Sequence, residues 1–283
     1  MKNFKTLFLQ ATFVLCLFRN SFSETPFIVL ELFTSEGCSS CPAADKILSE
    51  FVLHPKNIDP EFDNQFLQIY PLSFHIDYWN RLGWADPFSQ NIFTQRQERY
   101  AQALGFGIYT PQLVINGAAD CVGSSLNLVK EKIHKAKENQ FRLSEIKKIH
   151  LDLQEIHLGL ATPENPKAPI NQKASKQRSF TLNYSISGDS PSLTKLDFDL
   201  NLCLALVEKG ISVDVRKGEN AGEKLHHENV VRIWKTVSNL KVGSGQVEFQ
   251  MPGNLNLQNL EMIGFLQNPL HLQIVAAARA KII

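Results

Sequence analysis

The sequence predicts an α/β domain followed by an all-β, sandwich-like domain. Over residues 24–143, apolar segments that suit buried strands alternate with helical patterns in the order β-α-β-α-β-β-α. Over residues 144–283 there are about eight short apolar or alternating segments and no strong helical pattern, which is typical of a β-sandwich. A third observation, a leader-like segment over residues 1–23, indicates export.

The pattern of residues 1–23 predicts the cellular location of the protein. Basic residues precede an apolar stretch from Leu7 to Phe18, and the small residues Ser21 and Ser23 occupy the positions that a signal peptidase recognises. The apolar stretch is shorter than the about 20 residues that a membrane span needs. The alternative is an uncleaved anchor. We expect cleavage, and therefore a periplasmic or extracellular protein with no stable membrane association.

Composition excludes several classes. The hydrophobic fraction of 43 % is enough to build a core, which excludes wholesale disorder. Without the three basic residues of the leader, the chain carries 26 basic against 28 acidic groups. Because nucleic-acid binding needs a basic surface, we expect no nucleic-acid partner. No pattern in the sequence indicates a cofactor.

The elements of the first domain follow from local patterns. Phe27–Phe33 and Phe66–Ile76 read as buried strands, a helix is predicted to begin at Cys38, and Asp86-Pro87 is a favourable start for a helix that ends at Leu104. Asn116-Gly117 indicates a hairpin, after which a further helix is expected. The later strands are predicted at 149–153, 180–186, 196–206, 211–215, 230–234, 246–251, 260–266 and 272–277, with a long solvated loop over 161–178.

The C-x-x-C motif formed by Cys38 and Cys41 is the most informative feature of the chain. A thiol at a helix N-terminus meets unpaired backbone N–H groups and the positive end of the helix dipole, which lower its pKa below the reference of about 8.5. The spacing places the second thiol where it can resolve a mixed disulfide. We therefore expect Cys38 to be the nucleophile and Cys41 the resolving thiol, with a structural disulfide or half of a zinc site as alternatives.

The surroundings of this motif resemble the thioredoxin superfamily. Strand, C-x-x-C and helix follow one another, and Tyr109-Thr110-Pro111 leads into the hairpin and the last helix. The resemblance implies that Pro111 has a cis peptide bond and lies against Cys38. An ordinary trans proline is the alternative.

Glu31 lies in the strand before the motif. In thioredoxins a buried acid near this place assists proton transfer to the resolving cysteine, although the spacing here is one residue longer. The resemblance therefore implies a general base at Glu31. The alternative is a carboxylate that reaches solvent or pairs with a polar neighbour.

Longer motifs are similar to a narrower family of secreted thioredoxin-like proteins, catalogued as domain of unknown function 1223. These motifs are LELFTSEGCSSCP at 30–42, FHIDYW at 74–79, LGWADPF at 82–88, YTPQ at 109–112, GENAG at 218–222, NVVR at 229–232 and FLQ at 265–267. The resemblance implies a thioredoxin-like domain over 24–143 and a β-rich domain over 144–283. It supplies no reaction.

The loop after the second strand is predicted to provide substrate contacts. Ligands favour the carboxyl edge of parallel strands, where this loop and Cys38 both emerge. We expect Trp79, Trp84 and Phe88 to form the wall of a groove there, with His75 or Asp77 on one shared face as a polar contact, and Thr110 as a further substrate-binding residue. The alternative is that the aromatic residues only pack the following helix. Metal ligation by His75 and Asp77 is less favoured than hydrogen bonding.

Two further features remain open. Cys121 and Cys203 fall in different predicted domains, where they form either an interdomain bridge or buried thiols. His226-His227 reads as part of a solvated polar turn.

Three functions fit these observations. The first is an exported thiol–disulfide oxidoreductase that acts on a protein or small-molecule thiol or disulfide. The second is a non-catalytic binding module with a structural disulfide, and the third is a metal-binding protein. The direction of electron flow, the oligomeric state and the role of the β-rich domain do not follow from the sequence.

Overall fold

The computed structural model describes residues 25–144, 149–156, 158–160, 178–188, 200–240, 242–253 and 255–283. The expected export signal and nearly all of the predicted loop over 161–178 lie outside these residues. Within them, no helix is long and apolar enough to cross a membrane.

The order of the elements agrees with the predicted alternation in the first half and with the strand-rich second half. The helices are α1 (Cys41–Leu53), α2 (Pro55–Ile58), α3 (Asn91–Leu104) and α4 (Leu126–Ser144). The strands are β1 (Phe27–Thr34), β2 (Gln68–His75), β3 (Gln112–Ile115), β4 (Ala119–Val122), β5 (Ile149–Leu153), β6 (Leu158–Leu160), β7 (Arg178–Gly188), β8 (Leu200–Glu208), β9 (Ile211–Asp214), β10 (Lys224–His227), β11 (Val230–Leu240), β12 (Gly243–Met251), β13 (Leu260–Gln267) and β14 (Ile274–Lys281).

One eight-stranded sheet crosses the predicted domain boundary, in the order β14-β13-β8-β11-β2-β1-β3-β4. Strands β1 and β2 are parallel, and β3 runs antiparallel to β1. Strand β11 joins β2 through a short parallel contact at Val230 and Ser73, where Ser73 N donates to the carbonyl of Asn229 at 3.0 Å. The two predicted domains therefore share a sheet.

Both faces of this sheet are covered, which explains the nearly continuous apolar strands. In β1, Ile28 and Leu30 pack in a core with α1 and α4, whereas Val29 packs on the opposite face in a core that includes α3. That second core also contains residues of β8, β11 and β13, so both halves contribute to it. Independent folding of residues 24–143 stays a prediction. Isolating these residues would expose to water the apolar face that the second half covers, which argues against it.

The second half places two sheets face to face. A sheet of order β12-β7-β5, with β6 paired to β7, packs on the end of the large sheet. Strand β8 shows why both layers are needed. Leu202 and Leu204 face the smaller sheet, while Cys203 and Ala205 face the core that contains α3.

Two predicted helix starts and one predicted turn were wrong. Helix α1 begins at Cys41 because the residues from Cys38 form a turn, closed by Cys41 N donating to Cys38 O at 3.2 Å. Helix α3 begins at Asn91, since the Asp86 carboxylate binds other groups and does not cap it. His227 lies in β10 and is 1 % exposed, so it is not in a solvated turn.

Glu31 lies in a buried ionic network on the α3 face of the sheet. Its carboxylate accepts from Arg96 Nε at 2.5 Å and Nη2 at 2.9 Å, and from the hydroxyl of Tyr100. The side-chain amide of Gln267 also donates to the Tyr100 hydroxyl at 2.8 Å, which ties β13 to the network. Because α1 packs on the opposite face, we correct the expectation of a general base and assign Glu31 a structural role.

We expect Glu31→Gln to destabilise the protein by about 3–5 kcal/mol. The change leaves the Arg96 guanidinium buried without its carboxylate, and an uncompensated buried charge has a cost of that order. Urea unfolding measures it. Glu61→Gln is the control, because that carboxylate is 62 % exposed and its ion pair with Lys137 is screened by water. Equal changes in the two variants would show that the network does not hold the halves together.

Candidate functional site

Cys38 and Cys41 form a disulfide at the start of α1. Cys38 lies in the turn that follows β1, and Cys41 is the first helical residue, with Pro42 after it. The hydroxyl of Ser40 lies 3.3 Å from Cys38 Sγ. Both cysteines are 0 % exposed, so the site is closed in this arrangement.

Thr110 lies beside Cys38, and the Thr110–Pro111 peptide bond is cis, as the resemblance implied. The Thr110 hydroxyl donates to Cys38 Sγ at 3.3 Å and accepts from Trp79 Nε1 at 2.8 Å. Trp79 thus contacts the motif indirectly, through the threonine.

Glu36, two residues before Cys38, is fully buried and connects three segments of the chain. Its backbone N–H donates to the Asp86 carboxylate at 2.8 Å, and its side chain accepts from Trp84 Nε1 at 2.7 Å. The other carboxylate oxygen lies 3.3 Å from His227 Nε2. The side-chain amide of Asn220 donates to its carbonyl at 2.8 Å. The turn that carries Cys38 is therefore held from several sides.

His75 belongs to this buried cluster, and Asp77 does not. His75 Nδ1 lies 2.7 Å from the Asp86 carboxylate. Burial alone would lower the pKa of His75, but the charge and hydrogen bond of Asp86 outweigh it and raise this pKa. Asp77 instead accepts from Thr94 and Asn91 near the start of α3. The expectation that His75 and Asp77 share one face was wrong, because the chain turns away directly after β2.

Asp45 and His227 were missed in the sequence. Asp45 lies on α1, four residues after Cys41, and is 5 % exposed. His227 Nδ1 lies 3.8 Å from the Asp45 carboxylate, and the centroids of the His227 and His75 rings are 4.9 Å apart. Helical spacing from Cys41 could have identified Asp45, whereas nothing local points to His227.

The pKa of Asp45 is raised, because burial penalises its charged form more than the facing groups favour it. Those groups are His227, His75 and Thr34, while the nearby Asp86 acts in the same direction as burial. Seven polar side-chain atoms of this cluster have no hydrogen-bond partner: Thr34 Oγ1, Glu36 Oε1, both carboxylate oxygens of Asp45, His75 Nε2 and both ring nitrogens of His227. Within the described ranges, no group of three or more histidine, cysteine or acidic residues is arranged to hold a metal ion.

The aromatic residues of the loop cover the motif. A Cβ on Gly37 would contact Trp79 Cβ at 3.4 Å, and one on Gly218 would meet Trp84 Cβ at 3.1 Å. Phe88 packs against the rings of His75 and His227. These contacts join the loop to the cysteine turn and to the second half of the chain.

The other two cysteines in the described part of the chain are free thiols. Cys121 and Cys203 are both buried and unbridged, so they do not link the two halves. Burial raises the pKa of each to about 11.

We expect Asp45→Asn to flatten the pH dependence of stability. An acid whose pKa is raised by folding stabilises the native state below its ordinary value of 3.8, and that contribution is lost as pH rises through the folded pKa. The amide cannot ionise, so the variant should lose less stability than the wild type as the pH rises above 3.8. Urea unfolding at stepped pH measures this, with the exposed Asp152→Asn as control. If the stability of Asp45→Asn falls with pH as steeply as that of the wild type, the assignment of a raised pKa to Asp45 is contradicted.

Comparison with known proteins adds a family and a fold. The crystal structure of protein AGR_C_4864 from Agrobacterium tumefaciens matches at a TM-score of 0.57 and 23 % identity, over 91 % of this chain and 95 % of that one. HBP35 of Porphyromonas gingivalis matches at a TM-score of 0.62 and 16 % identity, over 92 % of this chain and 76 % of that one. No curated protein matches. A family model described as "Protein of unknown function (DUF1223)" matches residues 29–155 and 153–267. The chain therefore belongs to the DUF1223 family.

Proposed function

We propose that the protein is an exported, thioredoxin-like thiol–disulfide oxidoreductase. The observation that carries the proposal is the Cys38–Cys41 pair at the start of α1 with the hydroxyl of Thr110 on the Cys38 sulfur. A nucleophilic thiolate needs donors aimed at its sulfur, and here the hydroxyls of Ser40 and Thr110 lie within 3.3 Å of it.

The topology of the first half supports the thioredoxin-like part of the proposal. Strands β2-β1-β3-β4 lie in this order, with β1 and β2 parallel and β3 antiparallel to β1. Helices α1 and α4 cover one face and α3 the other. The disulfide follows the carboxyl end of β1, the edge at which open α/β sheets bind ligands.

The proposed reaction is two successive thiol–disulfide exchanges. The Cys38 thiolate attacks one sulfur of a substrate disulfide, the substrate S–S bond breaks, and the released thiolate takes a proton from solvent. Cys41 then loses its proton and attacks Cys38 Sγ in the mixed disulfide, which releases the second substrate thiol. Two electrons pass from the protein dithiol to the substrate, and an external dithiol must restore them. The reverse sequence oxidises a dithiol.

Substrate contacts belong to the same proposal. Thr110 is next to the reacting sulfur, and Trp79 and Trp84 lie over the cysteine turn. Their indole N–H groups are engaged with Thr110 and Glu36, so they offer apolar faces to a protein or small-molecule disulfide. His75 and Asp77 are paired elsewhere and are not proposed as contacts.

Export rests on the leader pattern of residues 1–23. A disulfide also persists best in an oxidising compartment, in agreement with a periplasmic or extracellular location.

One observation favours a second candidate, a binding module with a structural disulfide. Both cysteines are fully buried, and a disulfide that no thiol can reach exchanges slowly. Under this alternative the cysteine pair stabilises the turn and carries out no turnover.

We expect Cys38→Ser to abolish catalysis of insulin reduction by dithiothreitol, because the nucleophilic sulfur is removed. Cys41→Ser should retain attack but accumulate a mixed disulfide, visible as an added mass. Cys121→Ser is the matched control, since this free thiol lies outside the motif. If wild type and Cys38→Ser behave alike, both in this assay and in a dithiol-oxidation assay, the structural alternative holds and the oxidoreductase proposal fails.

A further inference from the structure

We infer that the β-rich half completes the cysteine site and that Asn220 is its positioning residue. Asn220 lies in the loop between β9 and β10, two strands that form a separate hairpin outside the large sheets. The inference deepens the proposed function and rests on it, because it assigns Asn220 to the same dithiol.

The side-chain amide of Asn220 bridges two carbonyls of the cysteine turn. It donates to Glu36 O at 2.8 Å and to Cys38 O at 2.9 Å, across about 180 residues of sequence. The Cys38 carbonyl also accepts from Cys41 N. The Asn220 side chain, which is 7 % exposed, therefore fixes two peptide units, the one before Gly37 and the one after Cys38.

The backbone conformation of the hairpin loop positions the Asn220 side-chain amide. Gly218 and Gly222 have φ of 80° and 92°, values that L side chains rarely adopt. A Cβ at Gly218 would also press on Trp84 at 3.1 Å. Backbone bonds from Ala221 N to Gly218 O and from Gly222 N to Val215 O close the loop around Asn220.

Its neighbour Glu219 contacts the same turn. The exposed carboxylate accepts from Ser39 N at 2.9 Å, and hydrogen bonds from the side chain and the backbone of Ser39 lower the pKa of Glu219. The consecutive residues Glu219 and Asn220 thus bind backbone groups of residues 36, 38 and 39, in and on both sides of Cys38.

The consequence concerns the reduced protein. Two thiols close a disulfide readily when their positions are fixed in advance, and less readily when the turn between them relaxes. Without the Asn220 amide, the reduced turn gains conformations in which Cys38 no longer faces Cys41. The equilibrium in which the protein dithiol and oxidised glutathione give the protein disulfide and two molecules of glutathione should then shift towards the dithiol.

The test is that equilibrium constant, measured by acid quenching, alkylation and mass spectrometry in glutathione buffers. For Asn220→Ala we expect a decrease of about tenfold, equivalent to about 30 mV for a two-electron couple. Asn229→Ala is the matched control. Its amide also joins the halves, by donating to Pro71 O at 2.8 Å, but away from the cysteines. It should lower the melting temperature and leave the equilibrium constant at the wild-type value.

An unchanged constant in Asn220→Ala, or an equal decrease in Asn229→Ala, would overturn the inference. If Asn220→Ala does not fold, Asn220→Asp removes both N–H donors at nearly the same volume and should shift the constant in the same direction. The measurement needs no turnover. A shifted constant in a protein that is inactive in both the insulin-reduction and the dithiol-oxidation assay would reject the proposed function alone. An active wild type with an unshifted Asn220→Ala would reject the positioning role alone.

Discussion

The burial of the Glu36 carboxylate is the constraint on which the cysteine site depends. A carboxyl group without exposure to water needs polar partners, and the partners of Glu36 come from different segments. Trp84 reaches it from the loop after β2, and His227 reaches it from the second half. Its own peptide is bound by Asp86 and Asn220. Because Glu36 is two residues from Cys38, the contacts of its side chain and backbone also position the cysteine turn.

This arrangement explains why the two halves share a sheet and do not simply follow one another. The short contact of β11 with β2 brings β10 and its hairpin against α1, where His227 faces Asp45 and Glu36. On the other face, Arg96 and Gln267 join the halves through the Glu31 network. The two interfaces are ionic or polar at their centres. Removing one partner of such a buried contact leaves the other buried without a partner, which destabilises the fold.

The sequence predicted the local features well and the long-range ones poorly. Strand β1 and the Asn116-Gly117 hairpin follow from patterns within a few residues, whereas the cis bond at Pro111 was implied only by the family resemblance of the motif. The pairing of His75 with Asp86 could not be predicted, since it depends on how an irregular loop folds back. The contacts of Asn220 and His227 depend on a strand pairing across the domain boundary, which periodicity within either half does not encode.

Hydrogen–deuterium exchange of the intact protein tests most directly whether the cysteine turn and the hairpin form one unit. Peptides that cover 34–41 and 215–227 should become exchangeable with the same free energy of opening, because the hydrogen bonds of Asn220 and the contact between Glu36 and His227 must be lost together. That shared value should exceed the value for the exposed end of α2, which makes none of these bonds. If the hairpin peptide exchanges well before the peptide that carries Cys38, the two segments open separately, and the claim that the β-rich half builds the site is contradicted.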